Sequence, residues 1–208
     1  MSEPAEVAPE CQRVVAGVWH WRISNRAIGG ATSSSQAVAD GDGAVLVDPV
    51  RLAPEALAEL PPPTAICLTA KCHQRAAWRY RTEFGAPVWA PAGTVPMDAE
   101  PDHRYEAGNI LPGGLRAVHT PGPERVHFSF LLERPGGAGV LICSDLLGRP
   151  AGGGLDFVPP QFHEDPDETR RSVERLLDLP FTVLCLDHGE PIADDPKAAI
   201  RRLLARTA

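Results

Sequence analysis

Between residues 64 and 80 the chain reads Thr-Ala-Ile-Cys-Leu-Thr-Ala-Lys-Cys-His-Gln-Arg-Ala-Ala-Trp-Arg-Tyr. Lys71, Cys72, His73, Gln74 and Arg75 follow one another directly. A thiol beside an imidazole is a metal-ligand pair, or a nucleophile beside its base. Other ionisable groups follow apolar runs elsewhere: Asp48 after Val45-Leu46-Val47, Asp145 after Val140–Ser144, and Asp187-His188 after Val183–Leu186. Cys72, His73, Asp145 and His188 are four competent ligand types. Gathered at one point they would support metal-assisted hydrolysis, in which a metal-bound hydroxide cleaves an ester, amide or thioester.

Whether they gather depends on the elements that carry them. Ala65–Thr69 reads as a buried strand, Ala70–Arg75 as a tight loop, and Ala76–Phe84 as a helix with Gly85 at its C-cap. A rigid strand aims the side chains that follow it, so strand-to-helix loops are common sites of chemistry. Upstream, Val14–Ile23 reads as one strand, Ala27–Ser35 as a Gly/Ser loop, and Ser35–Ala39 and Ala44–Val47 as strands joined by Asp40-Gly41-Asp42-Gly43, a hairpin signal. Ala53–Leu60 is expected to be helical, with Pro54 in its first turn. Further strands are expected at Ala86–Ala90, Arg104–Ala107, Leu115–His119, His127–Glu133, Gly139–Cys143 and Phe181–Leu186. A turn is expected at Gly136-Gly137, and a loop over 148–166. Asp167–Leu177 is amphipathic, with Asp165 or Asp167 near its N-cap. Pro196–Ala205 is the last helix. Four strand ends, at Asp48, Ala70–Arg75, Asp145 and Asp187-His188, and a fifth at His119, would then share one edge.

Composition narrows the function classes. The 208 residues are 43% hydrophobic and 23% charged, ordinary values for a globular chain with a real core. Residues 1–13 read as a flexible terminus and 14–208 as one domain. A net charge of −7 argues against nucleic-acid binding. No apolar run approaches the roughly 20 residues that span a bilayer. The acidic N-terminus is no signal peptide. Five irregularly spaced cysteines do not form a disulfide framework, which points to the cytoplasm. The sequence does not set an oligomeric state.

Five pieces in order resemble the metallo-β-lactamase fold superfamily: an apolar strand with Asp48-Pro49, a strand with Leu68-Thr69 and the polar loop, His119-Thr120-Pro121-Gly122, a strand with Ser144-Asp145, and a strand with His188-Gly189. The resemblance spans about residues 14–206. It implies an α/β (α+β) protein, a four-layer αββα sandwich of the metallo-β-lactamase type. It also implies a site at one edge that in the family holds two zinc or iron ions. Those sites use a His-x-His-x-Asp-His loop, a His after Thr-Pro-Gly, an Asp after the fifth motif strand and a His before the last Gly.

Against that pattern, Ala70 stands at the first His, Cys72 at the second, Gln74 at the Asp and Arg75 at the third His. Pro123 follows Thr-Pro-Gly in place of another. Asp145 and His188 keep their places and are the catalytic candidates. The resemblance places Asp48, Lys71, Cys72, His73, Gln74, Arg75, His119 and Pro123 along the cleft. Arg75, a permanent donor-only cation, is expected to take the metal's place and pair with Asp145. Two functions stay open. One is a protein without resident metal, non-catalytic or binding a small-molecule ligand in the old cleft. The other is a metal-dependent hydrolase with zinc or another divalent ion on Cys72, His73, Asp145 and His188. The loss of ligands favours the first. The plainer readings are Cys72 as a small buried hydrophobe, His73 as a helix cap or solvent-facing group, and Asp187 as a residue of the rim.

Overall fold

A computed structural model describes residues 3–134, 136, 139–150 and 153–207. The first sheet is built from β1 (Gln12–Val15), β2 (Val18–Asn25), β3 (Ala31–Asp40), β4 (Gly43–Val47), β5 (Pro63–Cys67), β6 (Val88–Pro91) and β7 (His103–Tyr105), adjacent in that order. Strands β1 to β4 run antiparallel, and β4 to β7 run parallel. The second sheet holds β8 (Ile110–Leu111), β9 (Leu115–His119), β10 (Phe128–Leu132), β11 (Val140–Gly148), β12 (Asp156–Phe157) and β13 (Val183–His188). Its order is β12-β11-β10-β9-β8, with β13 added parallel to β11. Helices α1 (Pro54–Leu57) and α2 (Ala77–Phe84) belong to the first sheet, and α3 (Pro166–Leu176) and α4 (Pro196–Arg206) to the second.

The layers follow from the period-2 alternation of strand side chains. In β4, Ala44 and Leu46 join the outer core with Ala77 and Tyr80 of α2, while Val45 and Val47 join the core between the sheets. In β11, Val140 and Ile142 face that inner core, with Phe130 and Cys185, while Leu141 and Cys143 pack with Val173, Leu176, Ile200 and Leu203 of α3 and α4. Both faces of these strands are covered, which is why they read as unbroken apolar runs. The result is the expected four-layer αββα sandwich.

Several boundaries differ from expectation. Val14–Ile23 is two strands, broken at Ala16-Gly17, where Gly17 takes φ +67° with Ala39 Cβ 3.2 Å from where its own Cβ would sit. Ala31–Ser35, expected as loop, is the first half of the ten-residue β3. Its small polar residues are buried because their hydroxyls find partners: Ser35 Oγ donates to Asp48 O and accepts from Val50 N, both at 2.7 Å. Helix α1 is one turn, shorter than the Ala53–Leu60 expected. Strand β11 runs to Gly148, so Ser144-Asp145 lies inside it at a register break against β13. Short β12 interrupts the expected loop over 148–166, and Asp165 caps α3 by accepting from Glu168 N. The N-terminal segment expected to be flexible packs on the first sheet from Glu3 on. Ala8 is fully buried and bridges Leu52, and Glu3 pairs with Arg79. Half of the expected Gly136-Gly137 turn lies outside the described residues. No helix among the described residues is long and apolar enough to cross a membrane.

Candidate functional site

Parallel pairing is what assembles the site. β4 and β5 are parallel neighbours, so Asp48 and Thr69–Arg75 leave the first sheet at the same edge. β11 and β13 are parallel in the second sheet, with Cys143 opposite Leu186, which brings Asp145 level with Asp187 and His188. Gln36 Nε2 donates to Leu186 O at 3.2 Å, and Ser34 Oγ donates to Gly189 O at 3.3 Å, tying the two edges together.

His73 is the centre of the cluster and is buried, with its side chain 4% exposed. It sits on a single 3-10 turn, Lys71–His73. Its Nδ1 lies 3.2 Å from Asp48 Oδ2, 2.9 Å from Thr69 Oγ1 and 3.1 Å from Ser144 Oγ. Its Nε2 lies 3.1 Å from Asp145 Oδ2 and 3.3 Å from Asp187 Oδ2. Asp48 is fixed in turn by Thr69, whose N–H donates to Oδ1 at 2.8 Å and whose hydroxyl donates to Oδ2. The sequence reading of His73 as a cap or solvent-facing group is therefore corrected. A 3-10 turn rotates the chain by about 120° per residue, so Cys72 and His73 need not face opposite ways.

Arg75 is the second correction. Its guanidinium pairs with Asp187, not Asp145. Nη1 donates to Oδ1 at 3.0 Å and Nη2 donates to Oδ2. Nη1 also donates to Ser34 O at 2.8 Å and Asp48 O at 3.0 Å. Asp145 is already engaged by His73 and by His188, whose Nε2 lies 2.9 Å from Asp145 Oδ1. Asp187, read from sequence as a residue of the rim, is buried with a side chain 3% exposed. Asp48 and Arg75 adopt φ of +46° and +38°. Left-handed backbone in a non-glycine residue costs on the order of 1–2 kcal/mol; of the three such residues among those described, Asp48 and Arg75 face this cluster and Asp195 caps α4.

The mouth is formed by the more exposed members. The Asp145 and His188 side chains are 20% and 22% exposed. Cys72 is half-buried, with Sγ 3.6 Å from Asp145 Oδ2. It is a member of the polar cluster rather than a hydrophobe of the core. His188 Nδ1 reaches Thr32 O at 2.6 Å. Beyond Thr32 lies an open cavity of about 320 Å³ lined by Arg22, Arg149, Gly189 and Glu190 among others.

The remaining expected residues stand apart from the cluster. Gln74 turns away and braces the loop: its Nε2 donates to Lys71 O, and its Oε1 accepts from Trp78 Nε1 and Asp98 N. Lys71 is exposed, and Pro123 is buried in its own loop. His119 is exposed against Phe128 with Nε2 at Arg125 O. His127 is the histidine that does reach the site: its Nδ1 donates to Thr120 O, and its Nε2 accepts from Asp145 N. Asp187, Thr69 and Ser144 were missed as site residues. Their only sequence signal was their position at the ends of buried strands.

The electrostatics follow from burying three carboxylates together. Burial opposes charge on His73, but Asp145, Cys72 and Asp187 outweigh it and hold the imidazole well above its usual pKa. Burial likewise opposes charge on His188, and the bond to Asp145 overcomes it. Burial would raise Asp145 and Asp187. His73 and His188 hold Asp145 well below the carboxylate range, and Arg75 leads in lowering Asp187. Burial pushes the Cys72 thiol up to about 11 and the His127 imidazole down to about 4. The carboxyl groups of Asp48, Asp145 and Asp187 thus meet Arg75, His73 and His188. Among the described residues, the donor groups that lie close enough for one ion are Cys72/His73/Asp145, Asp48/His73/Asp187 and Asp145/Asp187/His188.

No family model matches the sequence. No curated protein matches it either. Solved structures do match in three dimensions. A metallo-β-lactamase from Pontibacter korlensis superposes with a TM-score of 0.73 at 16% identity, over 94% of this chain and 98% of that one. A metallo-β-lactamase family protein from Thermus thermophilus, TTHA1429, gives 0.65 at 21% identity, over 94% and 80%. The protein TTHA1623, solved in a di-iron-bound form, gives 0.59 at 27% identity, over 78% and 90%.

Proposed function

We propose that this chain, which has the metallo-β-lactamase fold, has exchanged a two-metal hydrolytic centre for an internally neutralised polar network, and that its cleft binds a small molecule. The observation that carries this reading is the two-pronged Arg75–Asp187 pair, buried on both sides. A guanidinium cannot ligate and repels a cation. Removing it from Asp187 would leave a buried carboxylate unpaired, which is strongly unfavourable.

The residues present do not fit a dinuclear centre. Ala70 and Pro123, at two positions where the family pattern has histidines, offer no donor atom. Arg75, at a third, is tied to Asp187 and to two backbone carbonyls. A catalytic zinc needs about three protein ligands for each ion and an open position. With His73 facing Asp48 on one nitrogen and Asp145 and Asp187 on the other, the donors do not supply two such sets. The cleft keeps an opening at Asp145 and His188, and a neighbouring cavity lined by Thr32, Arg149 and Gly189, though by neither of those two side chains, gives a small ligand room.

The test is metal content together with turnover. Protein purified without added metal, then loaded with excess zinc or manganese, is assayed by elemental analysis and against ester, amide and thioester substrates. The expected result is fewer than two ions per chain and no metal-dependent turnover. Two ions per chain, or hydrolysis that requires the metal, overturns the reading in favour of a metal-dependent hydrolase.

A further inference from the structure

We propose that the free edge of β2, from Trp21 to Ser24, binds a short extended peptide with basic side chains, added as an antiparallel strand in line with β1. This edge lies apart from the loop after β5, and binding there does not depend on the small-molecule reading of the cleft.

Unequal strand lengths leave the edge open. β2 pairs with β3 along all of Val18–Asn25, but β1 covers it only as far as Gln12, opposite His20. Continuing that register would set Cys11, Glu10 and Pro9 opposite Trp21, Arg22 and Ile23. The chain goes elsewhere instead. Ala8 bridges to Leu52, its N–H donating to Arg51 O and its C=O accepting from Ala53 N. Pro9, at the point of departure, has no N–H to give to a ladder. In an antiparallel ladder alternate residues turn their N–H and C=O towards the partner, and the others turn them away. The groups of Trp21–Ser24 that turn away from β3 have no strand beside them, and no described residue hydrogen-bonds to them. Such an edge is a template for an added strand.

The surroundings supply room and chemistry. A cavity of about 390 Å³ runs along this edge, lined by Glu10, Gln12, His20, Arg22 and Glu190 among others. His20 is 1% exposed, and burial keeps its ring neutral. Gln12 Nε2, a donor, faces His20 Nδ1 at 3.3 Å, so the ring carries its proton on Nε2. That Nε2 has no hydrogen-bond partner among the described residues. An unmet buried donor is costly, and a peptide carbonyl is the kind of acceptor it lacks. Charge selects the peptide. The cavity wall carries two carboxylates, Glu10 and Glu190, against one guanidinium, Arg22. Glu190 is engaged by Arg22 Nε and by Gln12 Nε2, each at 2.7 Å. Glu10 is exposed and makes no ion pair with a described residue. A lysine or arginine on the added strand gives Glu10 its partner.

The experiment titrates two blocked, fluorescein-labelled heptapeptides into the full chain, one of alternating threonine and lysine, the other of alternating threonine and glutamate. Binding is read by fluorescence anisotropy and by amide hydrogen exchange. The expected result is saturable binding of the lysine peptide at one per chain. With the peptide at about ten times its dissociation constant, exchange at the outward amides of Trp21–Ser24 slows about tenfold. Methylating alternate amide nitrogens of the peptide in one phase weakens binding by about tenfold or more, because it removes the ladder donors, while the opposite phase still binds. Glu10→Gln weakens binding by up to about fivefold, the worth of one exposed ion pair. No saturable binding, equal or tighter binding of the glutamate peptide, or binding without protection at Trp21–Ser24 overturns the proposed site. Protection of the same amides by self-association of the chain also overturns it, by making a second copy the occupant. Each of these results leaves the Arg75–Asp187 reading standing, since metal content and turnover decide that one.

Discussion

Replacing Arg75 by Met tests the centre of the network with the least disturbance. Methionine keeps an unbranched stem and a Cβ, so the left-handed backbone at φ +38° is not relieved or changed in kind. What is lost is the guanidinium. Asp187 then keeps a buried carboxylate facing only His73 and, at 3.7 Å, His188. Breaking one side of a buried ion pair costs about 3–5 kcal/mol. The carbonyls of Ser34 and Asp48 also lose a donor, so the upper half of that range applies. Against a total stability on the order of 5–15 kcal/mol, this is a large share. For a chain of this size each kcal/mol moves Tm by about 2–4 °C, so the expected drop is roughly 8–20 °C. The assay is urea unfolding followed by circular dichroism, on Arg75→Met, Asp187→Asn and the double variant. The double variant should recover about 2 kcal/mol or more of the summed losses, because removing both charges leaves nothing to desolvate. Arg75→Lys should fall between, since an ammonium cannot span both carboxylate oxygens and two carbonyls. A loss under about 1 kcal/mol for Arg75→Met, or strictly additive losses in the cycle, would refute the account of Arg75 as the buried resident cation.

Three further outcomes follow from other parts of the structure. Burial lowers His20 to about 4; the unfolded chain therefore takes up this proton first as pH falls. The stabilisation is complete above about pH 6.5 and is lost as pH falls towards 4, up to about 3 kcal/mol. His20→Gln should lack that share of the acid-side slope in urea melts at pH 7.5 and 4.5, and equal slopes would contradict the assignment. A Cβ on Gly122 would fall 2.3–2.5 Å from Thr169 Oγ1, N and Cα, at φ +136°. Gly122→Ala should cost about 2 kcal/mol or more, and an unchanged Tm would count against that close approach of the Thr-Pro-Gly turn to α3. Gln74→Leu removes three hydrogen bonds that brace the loop, at roughly 1–3 kcal/mol. Urea unfolding checks this, and an unchanged midpoint would count against Gln74 as a brace of the loop.

The fold was legible because its signals are local and repeated. Apolar runs of four to six residues, ended by Asp-Pro, Ser-Asp or His-Gly, mark strands covered on both faces. Asp40–Gly43 marks the hairpin, and Gly85 the end of α2. Misread boundaries trace to composition that tertiary packing overrode. Thr32–Ser35 looks like loop, yet it fills a central strand because small hydroxyls can be buried wherever a carbonyl or amide meets them, as Asp48 O and Val50 N meet Ser35. The site was legible as a place more than as a geometry. That Asp48, the 70–75 loop, Asp145 and Asp187-His188 share an edge follows from strand direction alone. Burial depth does not, and it is depth that gives Asp187 to Arg75 and leaves Asp145 at the mouth.

The loop after β5 shows why a motif read by position misjudges the chemistry. The family spacing puts inward-facing groups at 70, 72, 74 and 75, with 73 as a spacer. The inward groups of this chain are 72, 73 and 75. Ala70 carries no polar group, so nothing fixes the inward direction of the family spacing at the start of the loop. The 3-10 turn then advances by about 120° per residue, which sends Lys71 to solvent and brings Cys72 and His73 into one sector. Gln74 hydrogen-bonds back to Lys71 and across to Trp78 and Asp98. The positive φ at Arg75 then reverses the chain and carries the guanidinium to Asp187. On the proposed reading, the departures of this loop from the family spacing are therefore coupled. Histidine at 75 alone would face a carboxylate bonded through a shorter side chain, with His73 still filling the centre. Arg75→His should accordingly not create a two-ion site. Such a site should require His73 to leave the centre as well, and two ions bound by the single Arg75→His variant, counted by elemental analysis, would show these positions to be independent.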